Sequence, residues 1–198
     1  MWALVESGSV TKVYNRPRAL TIGDVSYPQN IFTMWTSSEL EALGIYDVVI
    51  DNTNFKNQEY YINTDQTFAL ASGTVTASYG TATVQAIADT LYTAEDETDG
   101  LGTEGEVKST GLKTSHKGMI NQQAGSLLSQ TDWYSIRAAD GGTAVPSSVS
   151  NHRTAVRTKA NAMCTQIDNA ANVDALVALY VYNDATPPVR PLGEFPTL

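Results

Sequence analysis

Two histidines, one cysteine and a run of closely spaced acids are the side chains of this chain with the most obvious chemical potential. His116 and His152 are the only histidines. Nucleophilic catalysis needs a nucleophile beside a base and an oxyanion donor. No Gly-x-Ser-x-Gly elbow accompanies either imidazole. His116 lies among polar residues and His152 beside Arg153, so both read as solvated or helix-surface groups. Cys164 stands alone, which excludes an intrachain disulfide and a cysteine metal site. Its place on the apolar stripe of a helical segment reads as a buried thiol. The acids between 95 and 106 partly fit a calcium loop. With Glu95 first, Glu97 is third, Asp99 fifth, Gly100 sixth and Glu106 twelfth. Glu95 stands where Asp is usual, Gly102 where an apolar residue is usual, and no strong helix precedes the loop. A solvated acidic linker is the competing reading. Neither Glu39/Glu41 nor Asp47/Asp51 stands out as a glycosidase pair, and Gly-Leu-Gly at 100–102 follows acids that repel phosphate. No catalytic constellation is visible, so the chain reads as non-enzymatic and without a cofactor.

Charge narrows the partners. The chain of 198 residues has net charge −9. Residues 1–88 carry four basic and eight acidic groups, residues 89–106 seven acids and no base, and residues 107–198 eight bases and six acids. Nucleic acid and anionic membranes repel such a chain over most of its length. No apolar run reaches 18 residues, and Met1–Glu6 has no basic segment, which argues against a membrane span and a secretory signal peptide. The expected place of synthesis is the cytoplasm.

The elements needed to position any site follow from periodicity. Residues 1–88 read as a β-rich meander: a hairpin around Ser7-Gly8-Ser9, a strand at Ile31–Trp35, then short strands at 46–50, 60–62, 67–70 and 74–79. Between them, Thr36 or Ser37 caps a short helix that Gly44 stops. Val84, Ile87 and Leu91 suggest a helix over 80–93. Residues 89–110, acidic and with Gly100, Gly102, Gly105 and Gly111 at or beside their end, read as a flexible linker and domain boundary. Residues 111–182 read as helical. Ile120, Ala124, Leu127 and Leu128 share one face, and a second helix starts at Pro146-Ser147 and runs to about Asp168. Asn172 caps a third. Residues 183–198 form an extended, Pro-rich tail. Linker and tail together suit a tether between two partners. The fold class is α+β.

The helix ending Leu127-Leu128-x-x-Thr131-Asp132-Trp133, then a loop and His152-Arg153-x-x-Val156-Arg157, resembles the phage tail assembly chaperone domain. That family shows paired leucines at a helix end, a (Ser/Thr)-Asp-Trp turn, and a second helix bearing Tyr-Arg-x-x-Leu-Arg. The similarity spans roughly residues 119–165. His152 stands for the usual aromatic, Val156 for leucine, and the second helix runs on past the family's usual stop. Met1–Val10 and Ala42-Leu43-Gly44-Ile45-Tyr46 are also similar to small proteins encoded beside tail-fibre genes. The resemblance implies a tailed-bacteriophage protein, fibre- or baseplate-associated, that binds other tail or fibre proteins; a homo-oligomer is compatible with the sequence, which leaves the oligomeric state open. It implies location in the virion tail, with the host cytoplasm as the place of assembly. The alternatives are a cytoplasmic fibre-assembly chaperone absent from the virion, and a calcium- or glycan-binding tip module. Independently of the family, Trp133 reads as a ring bridging two helices over Leu127 or Leu128 and the stem of Arg153. Arg153 and Arg157 share a face with Asp132 as natural partner. A hairpin clamp is thus the first reading of Trp133 and a partner-binding anchor the second.

Overall fold

The computed structural model describes residues 1–198. Mixed α+β architecture is present as the periodicity indicates, with a strand-rich sheet in the N-terminal part and helices in the C-terminal part. The chain divides into two units, Met1–Thr83 and Val84–Leu198.

In the first unit, β1 (Trp2–Glu6) and β2 (Ser9–Tyr14) pair antiparallel. Ser7 at φ +53° and Gly8 at φ +78° give their turn two left-handed residues. Such a turn matches the twist of flanking strands. The same Ser-Gly pair, Ser72 and Gly73, joins β7 (Gln66–Ala71) to β8 (Thr74–Tyr79). With β5 (Ile45–Asp51), these strands form a sheet ordered β2-β1-β5-β8-β7. It is not a simple meander, because β5 and β8 run parallel. Short ladders join β3 (Leu20–Ile22) to β4 (Val25–Tyr27), and β6 (Tyr61–Ile62) to β9 (Thr83–Val84).

The segment expected as a strand at Ile31–Trp35 is instead a single helical turn, α1 (Ile31–Met34). Neighbouring strand residues point to opposite faces. A helical turn lets Ile31 and Phe32 both enter the core, where they join Leu4, Tyr14, Leu20, Leu40 and Ile45. The next helix, α2 (Ser37–Ala42), begins as its sequence predicts. Thr36 accepts from the Glu39 amide at 3.4 Å, and Glu39 accepts from the Thr36 amide at 2.8 Å. Gly44 ends it at φ +77° and also abuts β1, where a Cβ would lie 2.6 Å from the Val5 carbonyl oxygen.

In the second unit, the expected helix over 80–93 does not form. Val84 and Leu91 are about half exposed, so no core underlies a helical face there. The backbone instead runs extended past the start of α4 (Leu112–Ser129), and the Ala86 and Ile87 carbonyls accept from the Leu112 and Lys113 amides. This satisfies donors that the first turn of a helix leaves open. The stretch expected as a flexible linker at 89–110 is likewise folded. β10 (Thr90–Leu91) pairs with β11 (Val107–Ser109), enclosing α3 (Ala94–Thr98). Tyr92 donates to Glu106 O at 2.9 Å and Gly105 to Tyr92 O at 3.0 Å. Gly102 within it and Gly111 just after it mark close approach: a Cβ on Gly102 would meet the Tyr92 ring at 2.5 Å, and one on Gly111 the Ala88 carbonyl carbon at 2.3 Å.

Beyond the hairpin come α5 (Asp132–Ala139), α6 (Ser147–Asn169) and α7 (Val173–Ala178). Ile120 and Ala124 of α4 are buried, as are Val156, Ala160, Met163 and Ile167 of α6. Asn172 caps α7 through the Ala175 amide at 2.8 Å. The tail after residue 183 is docked on its own chain and does not hang as a tether. Leu192 is fully buried, its amide donates to Leu179 O, and its carbonyl accepts from Lys159 Nζ at 2.8 Å.

Candidate protein-docking site

The last turn of α4 leaves carbonyls without helical partners. Arg153, reaching from α6, supplies the donors. Its Nη1 donates to Leu128 O and to Thr131 Oγ1, both at 2.7 Å, while Nη2 pairs with Asp132 Oδ1 at 2.8 Å. Thr131 is 4% exposed and its hydroxyl donates to Leu128 O at 3.0 Å. One guanidinium therefore closes α4, fixes the corner at Thr131 and pins the first turn of α5. The expected pairing of Arg153 with Asp132 is realised. Arg157, one turn further along α6, is exposed and forms no ion pair.

Trp133 takes a different role from the expected bridge. It is 51% exposed, and its ring neighbours belong to its own helix. Tyr134 stacks against it at 3.8 Å between centroids, and the Arg137 guanidinium lies 4.9 Å from the indole and 5.3 Å from the phenol ring. Leu127 and Leu128 are only half-buried. The reason is polar: open carbonyls need donors in number, which an indole with a single N–H cannot supply and a guanidinium can. The segment after Trp133, expected as loop, is the helix α5, and none of its residues is buried. Ile136 is 62% exposed. Arg137 Nε is buried without a hydrogen-bond partner. The site is thus a short helix held at its start and presenting Trp133 and Ile136 outward, with Arg137 partly buried beneath the Trp133 and Tyr134 rings. Tyr134, Ile136 and Arg137 were not singled out from the sequence, although the spacing of Trp133 and Tyr134 to Arg137, four and three residues, is a helical-face signal.

The calcium candidates do not converge. Glu95 and Glu97 stand in the first turn of α3, Asp99 caps its end and Glu106 lies on the returning side of the hairpin, all exposed. The first positions of the supposed loop are helical, so Glu97 points roughly 200° around the axis from Glu95. No group of three or more His, Cys, Asp or Glu is arranged to hold a metal. Asp96, which is not one of the calcium positions, is the structural acid of this stretch. It accepts from Lys108 Nζ at 2.6 Å and from the Thr93 amide and hydroxyl, each at 2.9 Å. The Lys108 hydrogen bond, then those from Thr93, hold its carboxyl at about 2.

His116 is not solvated. It is 1% exposed, with Nδ1 2.8 Å from the Tyr180 hydroxyl, and so links α4 to the residues after α7. His152 is half-buried on α6. Cys164 is half-buried and not fully enclosed, and burial pushes its thiol up against the lowering effect of Lys117. No helix is long and apolar enough to cross a membrane. Compared with protein-family models, curated proteins and solved structures, the chain matches none.

Proposed function

We propose that the chain is a structural component of a bacteriophage tail that binds another virion protein through the outer face of α5. The observation that carries this reading is a helix with no buried residue that nonetheless exposes a tryptophan and an isoleucine. A free amphipathic helix buries its apolar face in its own core. Here the core-side work is done by Arg153, and the apolar side chains are left for a partner. Trp, Tyr and Arg are the residues that most often dominate binding energy at protein interfaces. Stacking of Arg137 on both rings pre-orders them, which lowers the entropic cost of docking. The resemblance to tail assembly proteins supplies the class of partner. It rests on Leu127–Trp133 together with Arg153 and Arg157.

Mass spectrometry of purified particles tests the location. The chain should be present at a stoichiometry comparable to other tail proteins. Its absence from particles, with abundance in the infected-cell lysate, would transfer the chain to the transient-chaperone reading.

A further inference from the structure

The first unit holds only four basic side chains, and three of them lie within seven residues: Lys12 on β2, then Arg16 and Arg18 in the connection to β3. All three are exposed and none forms an ion pair. Lys12 and Arg18 line a polar cleft of about 440 Å³ that also includes Tyr14 and Thr21. Burial pushes the Tyr14 phenol up while the nearby Arg18 charge pulls it down, which places the guanidinium near that ring. Two exposed cations on one cleft repel each other weakly through water, and an anion seated between them turns that repulsion into attraction.

The matching anion is present on the same chain. Glu95, Glu97, Asp99, Glu104 and Glu106 are exposed and form no ion pair, since Lys108 is taken by Asp96. Backbone bonds between Tyr92, Gly105 and Glu106, with the Thr93–Asp96 cap, hold these five on a folded hairpin. They are therefore presented as a fixed array. Each copy carries net charge −9, so long-range repulsion opposes the approach of two chains, and the contact rests on the short-range match of cleft and hairpin.

We propose that the cationic cleft lined by Lys12 and Arg18, with Arg16 between them in the chain, receives the carboxylates of the 92–106 hairpin of a second copy of this chain. The contact is heterologous, joining one patch to a different patch, so it can propagate from copy to copy. It uses neither Trp133 nor Ile136 and stands or falls apart from the reading of α5.

Sedimentation of the purified full chain across a salt series tests it. Association strengthens with protein concentration at low salt and weakens about tenfold as ionic strength rises from about 50 mM to about 500 mM, because exposed pairs are screened. K12E/R18E and E95K/E97K each remain monomeric at low salt. Mixed together they associate, since each supplies the charge the other lost, and this recovery shows both variants are folded. A wild-type chain that is monomeric at low salt overturns the proposal. So does association that is insensitive to salt, survives both charge reversals, or is abolished only by W133A/I136A.

Discussion

A guanidinium that reaches the end of a neighbouring helix satisfies carbonyls left open by the last turn and places positive charge at the negative end of the helix dipole. Arg153 does both for α4 while binding Asp132 at the start of α5. Its removal leaves Leu128 O and Thr131 without their donor in a largely buried setting. Arg153→Ala should therefore cost roughly 2–4 kcal/mol in urea unfolding. Asp132→Ala, at a carboxylate that is half exposed, should cost less than about 1 kcal/mol. Trp133→Ala should also stay below about 1 kcal/mol, as for an exposed residue. A larger loss for Trp133→Ala than for Arg153→Ala would restore the indole as the clamp. Asp96 gives a second test at this scale. Its folded pKa of about 2 lies below the ordinary aspartate value of 3.8, so its contribution is complete above pH 3.8 and is lost as pH falls through about 2. A carboxyl-carbon NMR titration should show Asp96 still ionised at pH 3, and a midpoint near 4 would refute the Lys108 and Thr93 bonds as its cause.

Short elements followed their sequence where the signal was local. Thr36 with Glu39, and Asn172, cap helices because a cap is made within four residues. The Ser-Gly turns close hairpins for the same reason. Legibility failed where a distant partner decides. Residues 89–110 look like a linker because they have few apolar groups, yet backbone pairing and one Lys108–Asp96 bridge order them. Val84, Ile87 and Leu91 keep helical spacing, but no core lies under them. His116 reads as solvated until Tyr180 is brought against it. Trp133 reads as a core residue because aromatic anchors usually are. Hydrogen exchange distinguishes a folded hairpin from a linker: the Tyr92 and Gly105 amides should be protected, and exchange at the free-chain rate would return 89–110 to linker status. Gly111→Ala should destabilise the start of α4 by about 1–3 kcal/mol, because its Cβ would sit 2.3 Å from Ala88.

At the scale of the whole molecule, the α+β class was legible from the switch of period along the chain. The division was not, since it falls at Thr83/Val84 and not across the acidic stretch. Residues 84–91 and the acidic hairpin belong with the helices because Ala86, Ile87 and Asp89 all bond to the start of α4. The tail belongs there too, through Leu192 and Lys159. On this second unit α5 has no buried residue and exposes Trp133 and Ile136. On the proposed function, this face is what carries the chain into the particle. Quantitative mass spectrometry of purified particles, comparing wild-type chain with W133A/I136A, measures it directly. The variant should stay folded and soluble in the lysate but fall at least about tenfold in particles, as loss of two interface anchors implies. Equal incorporation of variant and wild type would contradict it.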